Sequence, residues 1–227
     1  MPIIILILVV LVILYGPQLW VGRTLRRYQE QRDDLDGTGG ELARHLLDIN
    51  GLQDVDVTIT TDGDHYDPST RIVALSEENF NGKSITAVAV AAHETGHALQ
   101  HADGYRPLML RSKLAVFAYY AEKLGIALVF LVPIFGMITG SAGIARLFIG
   151  GVLISFLSSI VVHIVTLPVE FNASFSRALP ILEKGEYLDA EDMKPARKIL
   201  LAAALTYVSA SLMSILNFGR WLMIFRR

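Results

Sequence analysis

The chain has 227 residues, 52% of them hydrophobic, only 19% charged, and a mean hydropathy of +0.45. Soluble domains run nearer to roughly 45–50% apolar and about 25% charged, and the apolar excess here is gathered in blocks, as in a membrane protein. A net charge of −2 without a basic tract argues against a nucleic-acid partner, and the absence of cysteine removes disulfides and thiolate metal sites.

Residues 3–21, IIILILVVLVILYGPQLWV, are long enough and apolar enough for a spanning helix. They lack the basic n-region and small-x-small cleavage site of a secretory signal, so they predict an uncleaved anchor. Arg23, Arg26, Arg27 and Arg32 follow at once, and the positive-inside rule then places the next segment in the cytoplasm.

Residues 36–105 form a more polar stretch. Thr38-Gly-Gly-Glu41 is a capping-box pattern that opens the helix ELARHLLDIN, and Gly51 suits its C-terminal stop. VDVTIT (55–60) alternates like a half-buried strand, RIVAL (71–75) is its expected partner, and the TDGDHYDPST between them is dense in turn formers. Asn81-Gly82 marks a further turn, after which Ser84 is placed to cap a largely buried helix, ITAVAVAAHETGHALQHA.

The remaining apolar blocks are 125–140, 144–165 and 199–218. The first two predict a transmembrane hairpin with an uncharged turn, TGSAG, on the outside. The third is long enough to span, yet Arg220, Arg226 and Arg227 beyond it would then break the positive-inside rule. Packing over the polar domain or lying at the interface is the alternative for that helix. No internal repeat and no low-complexity linker is present.

The chemistry concentrates in HETGH, residues 93–97. Residues four apart on a helix stand about 40° apart around the axis, so His93 and His97 can reach one metal ion with an imidazole nitrogen each. Glu94 is offset by about 100° from His93 and about 60° from His97, so its carboxylate can border such an ion without binding it. That is the arrangement zinc requires to bring a water's pKa toward about 7 while a carboxylate takes the proton.

A catalytic zinc site needs a third protein ligand. His101 lies about 12 Å of helical rise beyond His93, too far, and is better suited to support or packing. The metzincin pattern needs glycine at 100 and histidine at 103, where Gln100 and Asp103 stand. Glu170, in TLPVEFNAS, is the better candidate: Pro168 suits the end of one helix or the start of another, and Glu170 follows at the expected cytoplasmic edge. Two predicted crossings separate it from His97, so both fall on one face of the membrane. His65 stands near a presumed edge strand of the kind that pairs with extended substrates. Tyr66 and His163 are candidate donors to a developing oxyanion, and an ionisable residue in a membrane helix, such as His163, favours a functional role.

HETGH, then a hairpin, then EFNAS resembles the membrane zincins of pattern HExxH…E-F-x-A-D, including the HtpX-type and CAAX prenyl peptidases. The run DHYDP…HETGHALQHADGY…LPVEFNAS more closely resembles the YugP-like neutral zinc metallopeptidases, over most of the chain from about residue 38. The resemblance implies one zinc ion per chain on His93, His97 and Glu170, with Glu94 as general base and acid. Ser174 stands where the wider group has an aspartate that hydrogen-bonds a ligating histidine, which it would do less strongly.

The expected protein is mainly α and multi-pass, with a zincin-like α+β catalytic domain holding a small β-sheet and the HExxH helix. Its expected parts are an anchor (1–22), a cytoplasmic catalytic domain (23–115), a transmembrane hairpin (116–167) and a third-ligand segment with a C-terminal helix (168–227). It is expected in a bacterial cell membrane with the site facing the cytoplasm, acting on proteins or peptides, membrane proteins among them, with the strand near 71–75 holding substrate by backbone pairing. The rival readings are a zinc-binding scaffold without catalysis, for which Glu94 has no use, and a prenyl-peptide hydrolase.

Overall fold

A computed structural model describes residues 2–139 and 142–206. In chain order they form α1 (Pro2–Arg27), α2 (Gly39–Ile49), β1 (Asp56–Thr60), β2 (His65–Asp67), β3 (Ile72–Ser76), α3 (Glu77–Phe80), α4 (Ile85–Ala102), α5 (Arg106–Thr139), α6 (Ala142–Phe171), a π-helical segment (Asn172–Ala178) and α7 (Leu179–Lys184). A last helix, α8, occupies 193–206. Among the described residues, those up to Tyr105 and from Leu167 on form one compact unit, and Arg106–Thr166 belong to a second.

In the first unit the predicted caps are made. The Thr38 side chain accepts from the Glu41 backbone N–H and the Glu41 carboxylate accepts from the Thr38 N–H, so two N-terminal donors of α2 are satisfied reciprocally. Gly51 ends that helix with φ +75°, a left-handed conformation that costs glycine little. Ser84 Oγ accepts from the Ala87 N–H at 3.0 Å and opens α4. Every α4 residue from Ile85 to Ala98 is buried, so this helix has no solvent face before its last turn and serves as the spine of the unit. Leu46 and Leu47 of α2, Val73 and Leu75 of β3, and Ile199 and Leu200 of α8 pack in the core around it.

Two strand expectations are corrected. The turn-rich stretch between the predicted strands contains a third strand, β2, and the sheet order is β1-β3-β2. β1 pairs with β3 in parallel, Val57 opposite Val73, while β2 pairs with β3 antiparallel, Tyr66 opposite Val73. The 71–75 strand is therefore the middle of the sheet with both edges taken, and cannot pair with a substrate. The physical reason lies in burial: Val73, Ala74 and Leu75 are all buried, as a central strand requires.

Pro168 does not end its helix. α6 runs through it to Phe171 and continues into the π-helical segment in one helical path. That segment lies against α4 backbone to backbone: a Cβ on Gly96 would stand 2.8 Å from the Ala173 carbonyl oxygen. Glycine is needed at this crossing.

In the second unit α5 and α6 run side by side. Cβ atoms added at Gly125 and Gly151 would stand 2.4 Å from Ser155 Oγ and 2.6 Å from Leu128 Cδ1, the close approach that small residues permit between membrane helices. α5 starts at Arg106, well before the apolar block at 125, because the charges at Arg111, Lys113, Glu122 and Lys123 interrupt apolarity without interrupting a helix. Among the described residues, Arg106–Leu131 and Arg146–Lys184 are the two helical stretches long and apolar enough to cross a bilayer. Their large apolar side chains point outward, with Phe130 66% and Leu147 72% exposed.

The fold is mainly helical with one small sheet, as expected. α8 covers the start of the 199–218 block, and its Ile199, Leu200, Ala202 and Ala204 are buried. The remainder of that block lies outside the described residues, so the expectation that it spans the membrane has no counterpart here.

Candidate metal centre

α4 presents His93 and His97 one turn apart on a single face, with ring centroids 4.8 Å apart. The end of α6 brings Glu170 to them. Its Oε2 lies 3.2 Å from His93 Nε2 and 3.2 Å from His97 Nε2. One ligand atom from each of the three residues falls within 4.8 Å of the other two, and all three side chains are buried. The second carboxylate oxygen, Glu170 Oε1, is buried without a hydrogen-bond partner.

An unpaired buried carboxylate oxygen is costly unless something compensates it. Two nitrogens and a carboxylate converging on one point, with a lone pair left over, suit a borderline cation such as zinc. The residues therefore fit the metal that the sequence implies.

The ring of His93 is held from behind. Ser174, in the π-helical segment, places Oγ 2.9 Å from His93 Nδ1 and 2.9 Å from the Leu200 carbonyl oxygen of α8. A carbonyl only accepts, so the serine proton goes to Leu200 and the Oγ lone pair receives the proton on Nδ1. His93 Nε2, 3.2 Å from Glu170 Oε2, is then the nitrogen available to a metal ion. Ser174 is therefore a neutral acceptor to His93 Nδ1, weaker than a carboxylate would be.

Gln100, which sequence reasoning used only to reject the metzincin pattern, stands behind His97, with Oε1 3.0 Å from Nδ1. Its amide nitrogen donates to the Val169 carbonyl and to Asn172 Oδ1. The signal that could have found it is a fully buried amide on the histidine helix, three residues past His97.

Glu94 is buried at 6% exposure beside the two imidazoles and outside the converging trio. Burial pushes its carboxyl above the ordinary glutamate range, with the neighbouring His93 and His97 opposing the shift and the Glu170 and Asp64 charges adding to it. A carboxylate so raised is a stronger proton acceptor.

The other candidates fall elsewhere. His101 is bonded through Nδ1 to Tyr66 Oη at 2.8 Å, joining α4 to β2, and is not one of the converging ligands. Burial, with the Asp67 charge, pushes the Tyr66 phenol up to about 12, so it stays protonated. His65 is exposed at the sheet edge and its Nδ1 meets the Gly63 carbonyl oxygen at 2.7 Å, the contact of a turn residue. His163 belongs to the second unit, and its Nδ1 is buried without a hydrogen-bond partner.

A buried two-histidine, one-carboxylate cluster with a further carboxylate beside it has the donor chemistry of a metal-dependent hydrolase. The comparisons define the group more narrowly. Residues 3–226 match the model of the family described as "Putative neutral zinc metallopeptidase", and the chain belongs to that family. It is 42% identical over 217 residues to the Bacillus subtilis (strain 168) protein named "Putative membrane protease YugP", covering 93% of this chain and 91% of that protein. No solved structure matches it. The chain is a zinc metallopeptidase by family, and His93, His97 and Glu170 form a group able to hold one metal ion.

Proposed function

We propose that this protein is a membrane-embedded zinc endopeptidase whose site faces the cytoplasm, with His93, His97 and Glu170 holding one zinc ion and Glu94 acting as general base and then general acid. The observation that carries this reading is the meeting of both Nε2 atoms with a single Glu170 oxygen while the other oxygen stays unpaired. Zinc, when bound, supplies a Lewis acid that acidifies water and polarises a peptide carbonyl.

The remaining work falls to the chain. Glu94 takes a proton from the attacking water and returns it to the departing amine, a role that its buried setting suits by keeping its affinity for the proton high. Ser174 holds His93 in one tautomer, so its Nε2 needs no rearrangement to bind. Surrounding burial keeps bulk water from competing for these groups.

Two apolar helical stretches and outward-facing side chains support residence in a bilayer, and the name of the Bacillus subtilis relative agrees. α1, with the Arg23, Arg26 and Arg27 cluster at its end, serves as a further anchor. Substrates are proteins or peptides, including segments of membrane proteins that reach the surface.

Purified full-length chain in detergent is expected to carry one zinc ion and to hydrolyse an unfolded protein or a quenched fluorescent peptide. Stripping with a chelator abolishes hydrolysis and zinc restores it. Zinc without turnover of any peptide would leave a binding scaffold instead, and turnover of prenylated peptides alone would leave the prenyl-peptide reading.

Orientation has its own test, helped by the absence of cysteine. Asp62 is exposed, so a membrane-impermeant maleimide is expected to label Asp62→Cys in inverted vesicles and not in intact cells. Labelling of intact cells would place the site outside.

A further inference from the structure

Gln100 is fully buried, at 0% exposure, and every polar atom of its side chain is engaged. Its Nε2 donates to the Val169 carbonyl at 2.8 Å and to Asn172 Oδ1 at 2.9 Å. Its Oε1 stands 3.0 Å from His97 Nδ1. An amide can be turned either way unless a partner fixes it, and here the backbone carbonyl of Val169 does so, because it can only accept. The NH2 group must face Val169 and the oxygen must face the imidazole.

Two consequences follow from this one orientation. His97 must carry a proton on Nδ1, so Nε2, 3.2 Å from Glu170 Oε2, is the nitrogen available to a metal ion. The same amide also ties down the chain on both sides of Glu170, since Val169 precedes it and Asn172 lies two residues beyond. Asn172 Oδ1 in turn accepts from Arg177 Nε at 3.2 Å, and Arg177 pairs with Asp103 at the end of α4 at 2.7 Å. The helix carrying two ligands is thereby fastened to the segment carrying the third.

We infer that Gln100 is a positioning residue for the metal centre: through one buried amide it selects the metal-facing nitrogen of His97 and sets the approach of the Glu170 segment. The inference rests on the proposed ligand set. A simple staple between helices would need only the two donors, whereas selection of the nitrogen needs the acceptor, and two substitutions separate them. Gln100→Met keeps the length and removes all three bonds. Gln100→Glu keeps an acceptor opposite His97 Nδ1 and loses both donors.

Zinc affinity of the full-length chain in detergent, measured by competition with a chromophoric chelator, is expected to fall about 10- to 100-fold in Gln100→Met, the usual effect of removing the partner of a ligating histidine. Gln100→Glu is expected to recover at least about tenfold of that loss, because a carboxylate in this place makes the imidazole more basic. Equal losses in both variants, or no loss in the methionine variant, would overturn the inference. A wild type that takes up no zinc would overturn the ligand set itself, an outcome distinct from either.

Should a variant not fold, the zinc-loaded wild type with nitrogen-15 histidine decides the matter by NMR. Zinc on His97 Nε2 with the proton on Nδ1 supports the inference, and zinc on Nδ1 overturns it.

Discussion

Glu94→Gln is expected to keep one zinc ion per chain and to lose peptide hydrolysis by about 10²- to 10⁴-fold, the usual contribution of a positioned acid–base group. The two side chains have nearly the same shape, so the buried pocket is refilled without a cavity. The change removes only the ability to take and return a proton. Glu94 stands outside the converging trio, so metal retention should be close to wild type. Thermal stability should not fall, because burial disfavours the Glu94 carboxylate by more than the neighbouring His93 and His97 offset, and the neutral amide relieves that cost. Hydrolysis rates with matched zinc occupancy, together with melting temperatures, provide the check. Activity within about threefold of wild type would remove Glu94 from the mechanism, given the size expected of such a group.

Glu170→Gln should act on the metal. The amide keeps the volume and loses the negative charge that both Nε2 atoms face at 3.2 Å. Zinc binding is expected to weaken by at least about 100-fold, more than the loss typical for residues that only support a ligand. A ligand that binds only the folded state stabilises it by about 2.7 kcal/mol at one hundred times its dissociation constant. Added zinc should therefore raise the Tm of the wild type and leave the Glu170→Gln Tm nearly unchanged at the same concentration. An equal zinc-induced shift in both proteins would eliminate Glu170 as a ligand.

Much of the candidate site was readable before any coordinates. His93, Glu94 and His97 follow from helical period alone, since three residues within one turn and a half of helix need no tertiary information to share a face. Glu170 was a candidate from its place after Pro168 in TLPVEFNAS, with the count of crossings as support. The supporting residues divide differently. Ser174 was reached through a family pattern, and its contact with His93 Nδ1 agrees with that place. Gln100 was passed over: its place three residues past His97 was legible, but its other partners Val169 and Asn172 lie 69 and 72 residues away.

The errors share a cause. Pro168 reads as a helix end when only its own missing donor is considered, yet α6 continues into a π-helical turn packed on Gly96. The 71–75 strand reads as a free edge when only two strands are seen, because three residues, His65–Asp67, are too few to show an alternation among turn formers.

The sequence by itself determined where α2 and α4 begin, which blocks are long and apolar, and which residues of HETGH share a region of one helix as candidates for the chemistry. These are properties of neighbours a few positions apart, set by caps, period and side-chain polarity. Only the tertiary structure decided the strand order, the wide turn after Glu170, and the hydrogen bonds that fix each imidazole. The contacts of Ser174 with His93 and of Gln100 with Val169 close more than sixty residues of intervening chain, and a hydrogen bond is made or lost over a few tenths of an ångström that no local pattern encodes.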